Sequence, residues 1–303
     1  MSKSKHIALL TGGLSSERDV SISSGKGVEK SLKELGHRVT VIDVGHDLAE
    51  VLSKTKPDLA FNALHGTYGE DGCVQGVLEL LGIPYTHSGV MASAIAMDKQ
   101  MTKYIVQNVG ISCAEGKVIS KEDIAIDNIP IKRPIVIKPV AEGSSVGIYI
   151  LKEGDKTPSI EELAKFKDLI VEKYIPGKEL SVAVTDNEPL GVIELRPKKG
   201  FYTYENKYTD GKTEHFMPAP IEKKVYNEAM ELAHKAHKTL KCRGISRTDF
   251  RYDVDGDGKL YFLELNTHPG MTPLSLVPEI ASHKGISYTG LVEYLVGKAQ
   301  CDK

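Results

Sequence analysis

Paired cysteines are missing from this chain of 303 residues. Cys73, Cys113, Cys242 and Cys301 lie far apart and form no CxxC pair. That spacing disfavours a thiol-rich zinc site, a disulfide framework and a cysteine nucleophile, and leaves reduced structural thiols as the expectation. An excess of charge of one sign is missing too: 39 Lys and Arg against 41 Asp and Glu give a formal net charge of -2. No field of the kind that selects nucleic acid or an anionic membrane results. No apolar run reaches the roughly 18 residues of a membrane span. The segment MSKSKHIALLTGG leads into a strand without a signal-peptide pattern, so a cytoplasmic protein without nucleic-acid or membrane partners is expected. Repeats and low-complexity tracts are absent. Neither GxGxxG nor GxxxxGK[ST] occurs, and Gly211-Lys212-Thr213 has only the tail of the latter, which argues against a nicotinamide dehydrogenase and a Walker loop.

What is present reads as an α/β chain long enough for two or three domains. His6–Thr11 is a short apolar strand, followed by Gly12-Gly13 and a capping-box signature at Ser16–Asp19. A helix to about Leu35, a strand over 38–44, a short helix over 47–53 and a strand over 58–63 then alternate, which predicts a parallel sheet. Such sheets bind ligands at the first strand-to-helix turn, where Glu17 sits; it is equally a first-turn acid favoured by the helix dipole. His65 opens the glycine-dense loop HGTYGEDG directly after a strand, although a lone histidine is more often structural. A helix over 74–81, a strand over 83–86 and one helix over 93–108 complete this part, with Lys99 reading as an exposed helix lysine.

Strands over 134–140 and 146–152 flank the small-residue loop AEGSS, whose N–H groups could approach phosphate oxygens. Lys138 lies in the otherwise apolar PIVIKPV, which favours a phosphate partner over plain surface. Glu172 and Glu179 bracket the turn IPGK after another strand, and either could be a surface acid. Residues 200–216 are aromatic and polar without a clear period, as a loop able to close over a site would be. A helix follows over 225–240.

The densest convergence of charge is Gly244–Pro278. Asp253, Asp255, Asp257, Gly258 and Glu264 match an EF-hand loop. Such a loop sits between helices, whereas the flanks here alternate and are aromatic, which predicts two strands and a hairpin loop instead. The hairpin sets Arg247 and Asp249 opposite Glu264 and Asn266. Asp249, Glu264 and Asn266 then form an all-oxygen set suited to magnesium. The competing reading is a solvated polar face in which Arg247 neutralises the acids.

In order along the chain, HGTYGEDGCVQG, KPVAEGSSVG, SRTDFRYD and LELNTHPGMTPLSLVP resemble the D-alanine–D-alanine ligases of the ATP-grasp superfamily, and the likeness spans nearly the whole sequence. It implies an ATP-grasp fold, α+β in character, preceded by a parallel-sheet domain, with domains at 1–97, 98–180 and 181–303. ATP would lie between the last two. Lys99, Lys138 and Lys207 would contact its phosphates and the Ser144-Ser145 loop would cover them. Glu172, with Lys173, Tyr174 and Ile175, would hold adenine, and Glu179 the ribose. Asp249, Glu264 and Asn266 would carry two magnesium ions, with manganese as the alternative. Glu17 would hold the ammonium of a first D-alanine, linked to Ser144 and Tyr208 in the lid. Arg247 and the Gly270 N–H would stabilise an oxyanion. Ser275 and Leu276 would receive a second carboxylate, and His65 would lie near both substrates. Tyr208 points to dipeptide formation, because relatives that make D-alanyl-D-lactate usually replace the lid tyrosine. A homodimer is also implied.

Overall fold

The computed structural model describes residues 4–143, 146–198, 212–272 and 274–302. β1 (His6–Thr11), α1 (Arg18–Glu34), β2 (Arg38–Asp43), α2 (Leu48–Thr55), β3 (Leu59–Asn62) and α3 (Cys73–Leu81) follow the expected alternation. The strands form a parallel sheet in the order β2-β1-β3. Two expectations fail here. Residues 83–86 make isolated bridges in place of a strand, Tyr85 to Ala60 and Tyr85 to Gln300. The Ser16–Asp19 capping box does not form: Glu17 itself is the N-cap of α1, its side chain makes no cap bond, and its N–H donates to Ser15 Oγ at 3.1 Å.

The helix expected over 93–108 is two, α4 (Val90–Met97) and α5 (Lys99–Gln107). Asp98 between them is extended, at φ -88° and ψ 101°, and its carboxylate accepts the Met101 N–H at 2.9 Å. An Asp in that role ends one helix and starts the next.

β4 (Gly116–Ile119), α6 (Lys121–Ala125), β5 (Ile135–Pro139), β6 (Tyr149–Leu151), α7 (Ile160–Leu163) and β7 (Leu169–Lys173) build an antiparallel sheet ordered β4-β7-β5-β6. Ile135, Ile137, Leu169 and Val171 on it share a core with Leu163 and Phe166. The remaining elements are β8 (Lys178–Thr185), β9 (Pro189–Pro197), β10 (Thr213–Phe216), α8 (Lys223–Thr239), β11 (Ile245–Tyr252), β12 (Leu260–Asn266), α9 (Leu276–His283) and α10 (Tyr288–Gly297). Their antiparallel sheet runs β10-β9-β8-β11-β12. The end of the stretch read as a loop over 200–216 is therefore the strand β10.

Side-chain alternation gives this third sheet two apolar faces. Val182, Val184 and Phe250 pack with Ala229 and Ala233 of α8, Ala92 of α4 and Val106 of α5. Ala183 and Ile193 pack on the other side with α9 and α10, which also meet Ile7, Leu9 and Phe61 of the parallel sheet. The first and third sheets thus share one core, and their facing loops border the same cleft.

Candidate active site

The hairpin of β11 and β12 folds as the strand pattern predicts. β11 and β12 pair antiparallel, with Asp249 opposite Glu264 and Arg247 opposite Asn266. An EF-hand's flanking helices are absent, and Glu264 lies in a strand away from the acidic turn. The Arg247 guanidinium grips Asp249, with Nε to Oδ1 at 2.8 Å and a terminal nitrogen to Oδ2 at 2.7 Å. Ser181 Oγ donates to Asp249 Oδ1 at 2.7 Å, and the Asn266 amide nitrogen lies 3.3 Å from Oδ2. Lys99 Nζ is 3.4 Å from Glu264 Oε2 and donates to the Glu142 carbonyl at 2.6 Å. The expectation of an exposed Lys99 is corrected: it is buried, because the break at Asp98 turns the start of α5 inward.

One polar cavity brings together Glu17, His65, Arg247, Glu264, Asn266, Gly270, Ser275 and Leu276. Glu17, buried at the start of α1, reaches over Gly143, where a Cβ would stand 2.7 Å from its Oε1. That approach needs a residue without a side chain at the mouth of the small-residue loop. His65 is buried, with Nε2 3.0 Å from Ser24 Oγ and Nδ1 3.1 Å from Glu70 Oε1. Ser275 is the N-cap of α9, and its Oγ accepts the Thr272 N–H at 2.9 Å. The N–H groups opening α9 suit an anion.

A second, more apolar cavity is lined by Lys138, Glu172, Lys173, Tyr174, Ile175, Glu179 and Asp249. Glu264 borders both cavities, so the hairpin is the wall between them. Glu172 is buried between two lysines: Lys138 Nζ stands 2.9 Å away and Lys103 pairs with its other oxygen. Burial works to raise the Glu172 carboxyl, but the charges of Lys138 and Lys103 outweigh it and hold it down at about 2. Burial and then the Lys138 charge push Lys103 down to about 8. Glu179 lies 3.4 Å from Arg251. Ser144, Ser145, Lys207 and Tyr208 lie outside the described residues.

Several positions in and beside these cavities escape a reading of residue types alone. Lys103 follows Lys99 by one helical turn, a spacing that puts both on one face of α5. Glu70, in the HGTYGEDG loop, is the acid partner of His65. His268 lines the polar cavity and stacks on His87, ring centroids 4.5 Å apart. Burial holds both imidazoles down, His87 to about 3 and His268 well below its ordinary range.

Residues 46–88 match the family described as "D-ala D-ala ligase N-terminus", and residues 105–297 match "D-ala D-ala ligase C-terminus". The D-alanine--D-alanine ligase of Parvibaculum lavamentivorans is 50% identical over 309 residues, spanning 100% of both chains. That of Wolbachia pipientis wMel is 50% identical, covering 96% of this chain and 93% of its own. Among solved structures, the Bacillus anthracis D-alanine--D-alanine ligase complexed with ATP superposes with a TM-score of 0.82 at 30% identity, covering 97% of each chain. The VanG D-Ala:D-Ser ligase of Enterococcus faecalis gives 0.80 at 29%, covering 97% of this chain and 99% of that one.

Proposed function

The chain belongs to the D-alanine–D-alanine ligase family, and from that premise we propose how its two adjoining cavities divide the reaction. It is an ATP-dependent ligase that joins two D-alanines into D-alanyl-D-alanine, a peptidoglycan precursor, through an acyl phosphate. The observation that carries this assignment of roles is Glu264 in the wall between a cavity suited to a nucleotide and one suited to two small zwitterions.

In this reading the first D-alanine places its ammonium on Glu17, and its carboxylate attacks the γ-phosphate of ATP. Lys99 and Lys138 neutralise phosphate charge, while Glu172 and the 173–175 segment hold the base and Glu179 the ribose. The amine of the second D-alanine, whose carboxylate rests on Ser275, Leu276 and the N-terminus of α9, attacks the acyl phosphate. The Arg247 guanidinium and Gly270 N–H meet the oxyanion, and ADP, phosphate and dipeptide leave. His65, tied to Ser24 and Glu70, shapes the pocket around both substrates. The lid roles of Ser144, Ser145, Lys207 and Tyr208, excluding water from the acyl phosphate, belong to the same proposal.

The metal assignment is supported by donor chemistry. Among the described residues no three His, Cys, Asp or Glu side chains stand together as a metal cage. Asp249, Glu264 and the Asn266 amide oxygen offer a sparse all-oxygen set of the kind magnesium uses alongside substrate phosphates. Two magnesium ions there, or manganese, would neutralise the phosphate oxygens as the group transfers.

The three sheets support a division into three units, with α5 crossing from the middle segment to pack on the third; the border at 180 falls inside β8, and the turn over 174–177 suits it better. A homodimer and a cytoplasmic location complete the reading, and sedimentation tests the former. The deciding experiment is phosphate release from magnesium and ATP with D-alanine, L-alanine, D-serine or D-lactate, and with D-alanine plus each of the last two. Release with D-alanine alone, and a dipeptide by mass, is expected. Release that requires D-serine or D-lactate would move the second substrate.

A further inference from the structure

Asn62 ends β3 and is 1% exposed. Its Oδ1 accepts the Leu64 N–H at 3.0 Å, and its Nδ2 faces the Gly69 carbonyl at 2.9 Å and His268 Nε2 at 3.0 Å. Turning the amide over would set Oδ1 against a carbonyl oxygen and Nδ2 against an N–H. The two backbone groups therefore fix its orientation. Both Nδ2 hydrogens are then engaged, and His268 Nε2 is the acceptor of one of them. A neutral imidazole with its proton on Nδ1 meets that requirement. The ring is 3% exposed and rests on His87.

This bond joins two segments that are 206 residues apart in sequence. One runs from Asn62 through His65 and Glu70 beside Glu17. The other runs from Asn266 through Gly270 to Ser275. They are opposite walls of the polar cavity. Neither Asn62 nor His268 lines the nucleotide cavity of Lys138, Glu172 and Glu179.

We propose that the Asn62–His268 hydrogen bond is a clamp that sets the distance between the two substrate walls, and that Asn62 and His268 are positioning residues for dipeptide formation. The inference rests on the reading above, which puts the first D-alanine on the Glu17 wall and the second on the Ser275 wall. An amine and an acyl carbon react only when held about 3–3.5 Å apart, and a misplacement of about 1 Å costs roughly 100-fold. A hydrogen bond between the bases of the two walls fixes that gap.

The test is steady-state kinetics of the full chain with D-alanine and magnesium-ATP, for wild type, His268→Leu and His268→Gln, with thermal unfolding in parallel. Leu keeps bulk and removes the acceptor; Gln restores an acceptor oxygen. The expected result is a fall in kcat/KM for D-alanine on the order of 100-fold in H268L, with KM for ATP unmoved and most of the loss recovered in H268Q. The clamp is overturned by H268L with wild-type kinetics, whatever its melting point. Equal impairment of both variants overturns it, as does a loss of kcat no larger than the loss of folded protein read in the parallel unfolding. A wild type inactive with D-alanine overturns the underlying reading, and the clamp with it; an active wild type beside an unimpaired H268L overturns the clamp alone.

Discussion

Glu172 is a carboxylate whose environment decides its role. With Lys138 and Lys103 against it inside the protein, it stays ionised and accepts hydrogen bonds only. Its folded value near 2 lies below the ordinary 4.5, so its contribution to stability is complete above about 4.5 and is lost as pH falls toward 2. Replacing it with Gln leaves two buried ammonium groups without their carboxylate. Urea unfolding of E172Q at pH 7 is expected to show a loss of about 3–5 kcal/mol. The gap from wild type should narrow below pH 4.5, and a gap that stays constant down to pH 2 would contradict the assigned charge state. Arg247 carries a different prediction. R247A should fold, since Ser181 and Asn266 still contact Asp249, yet lose about 2.7–4 kcal/mol of transition-state stabilisation. Wild-type turnover would remove it from the oxyanion site. Lys138 was legible in the sequence because a lysine inside PIVIKPV has no ordinary place. Lys103 was not, since a lysine in a helix is unremarkable until the helix is known to turn that face inward.

At the level of elements, the hairpin was legible because strand alternation and helix periodicity leave different marks, and alternation on both flanks overrode the calcium-loop spacing. Asp249 and Glu264 meet because a bulge between Asp249 and Phe250 shifts the register by one residue past Leu263, which alternation alone does not mark. The break between α4 and α5 was missed for the opposite reason: Asp98 can sit in a helix or cap one, and only packing against the third sheet selects the cap. The turn between β7 and β8 carries a sharper requirement. Gly177 has φ +92°, and a Cβ there would run into the Tyr252 carbonyl oxygen at the end of β11. Left-handed backbone and collision together predict that Gly177→Ala destabilises the protein on the order of 3 kcal/mol. Because this turn sets Tyr174, Ile175 and Glu179 in one cavity, KM for ATP should rise as well. A stable variant with normal ATP affinity would mean that another turn conformation holds the same pocket.

Across the whole molecule, the order of motifs identified the family, but which sheets share a core was not legible, because contacts between distant segments leave no local period. The core cluster of β5 and β7 draws only on residues between 119 and 171. The core that joins α9 and α10 to the parallel sheet runs instead from Ile7 to Val296. A unit with a private core can open without disturbing the rest, and local opening is what amide exchange reads. Residues 116–119, 135–139 and 169–173 should therefore exchange faster than β8 and β11 when no nucleotide is present. The cavity proposed for the nucleotide is lined from both sides, by Val136, Lys138 and Glu172 of the middle sheet and by Glu179, Asp249 and Arg251 of the third. A ligand bound there requires both sheets to be closed on it, so its binding energy opposes the opening. At free magnesium-ATP about 100 times its Kd the gain is about 2.7 kcal/mol, or roughly 100-fold slower exchange in the middle sheet. Equal protection of the two sheets without nucleotide would mean that the loops between them couple the units as strongly as a shared core does. Slowing confined to the third sheet would mean that the nucleotide does not bridge them.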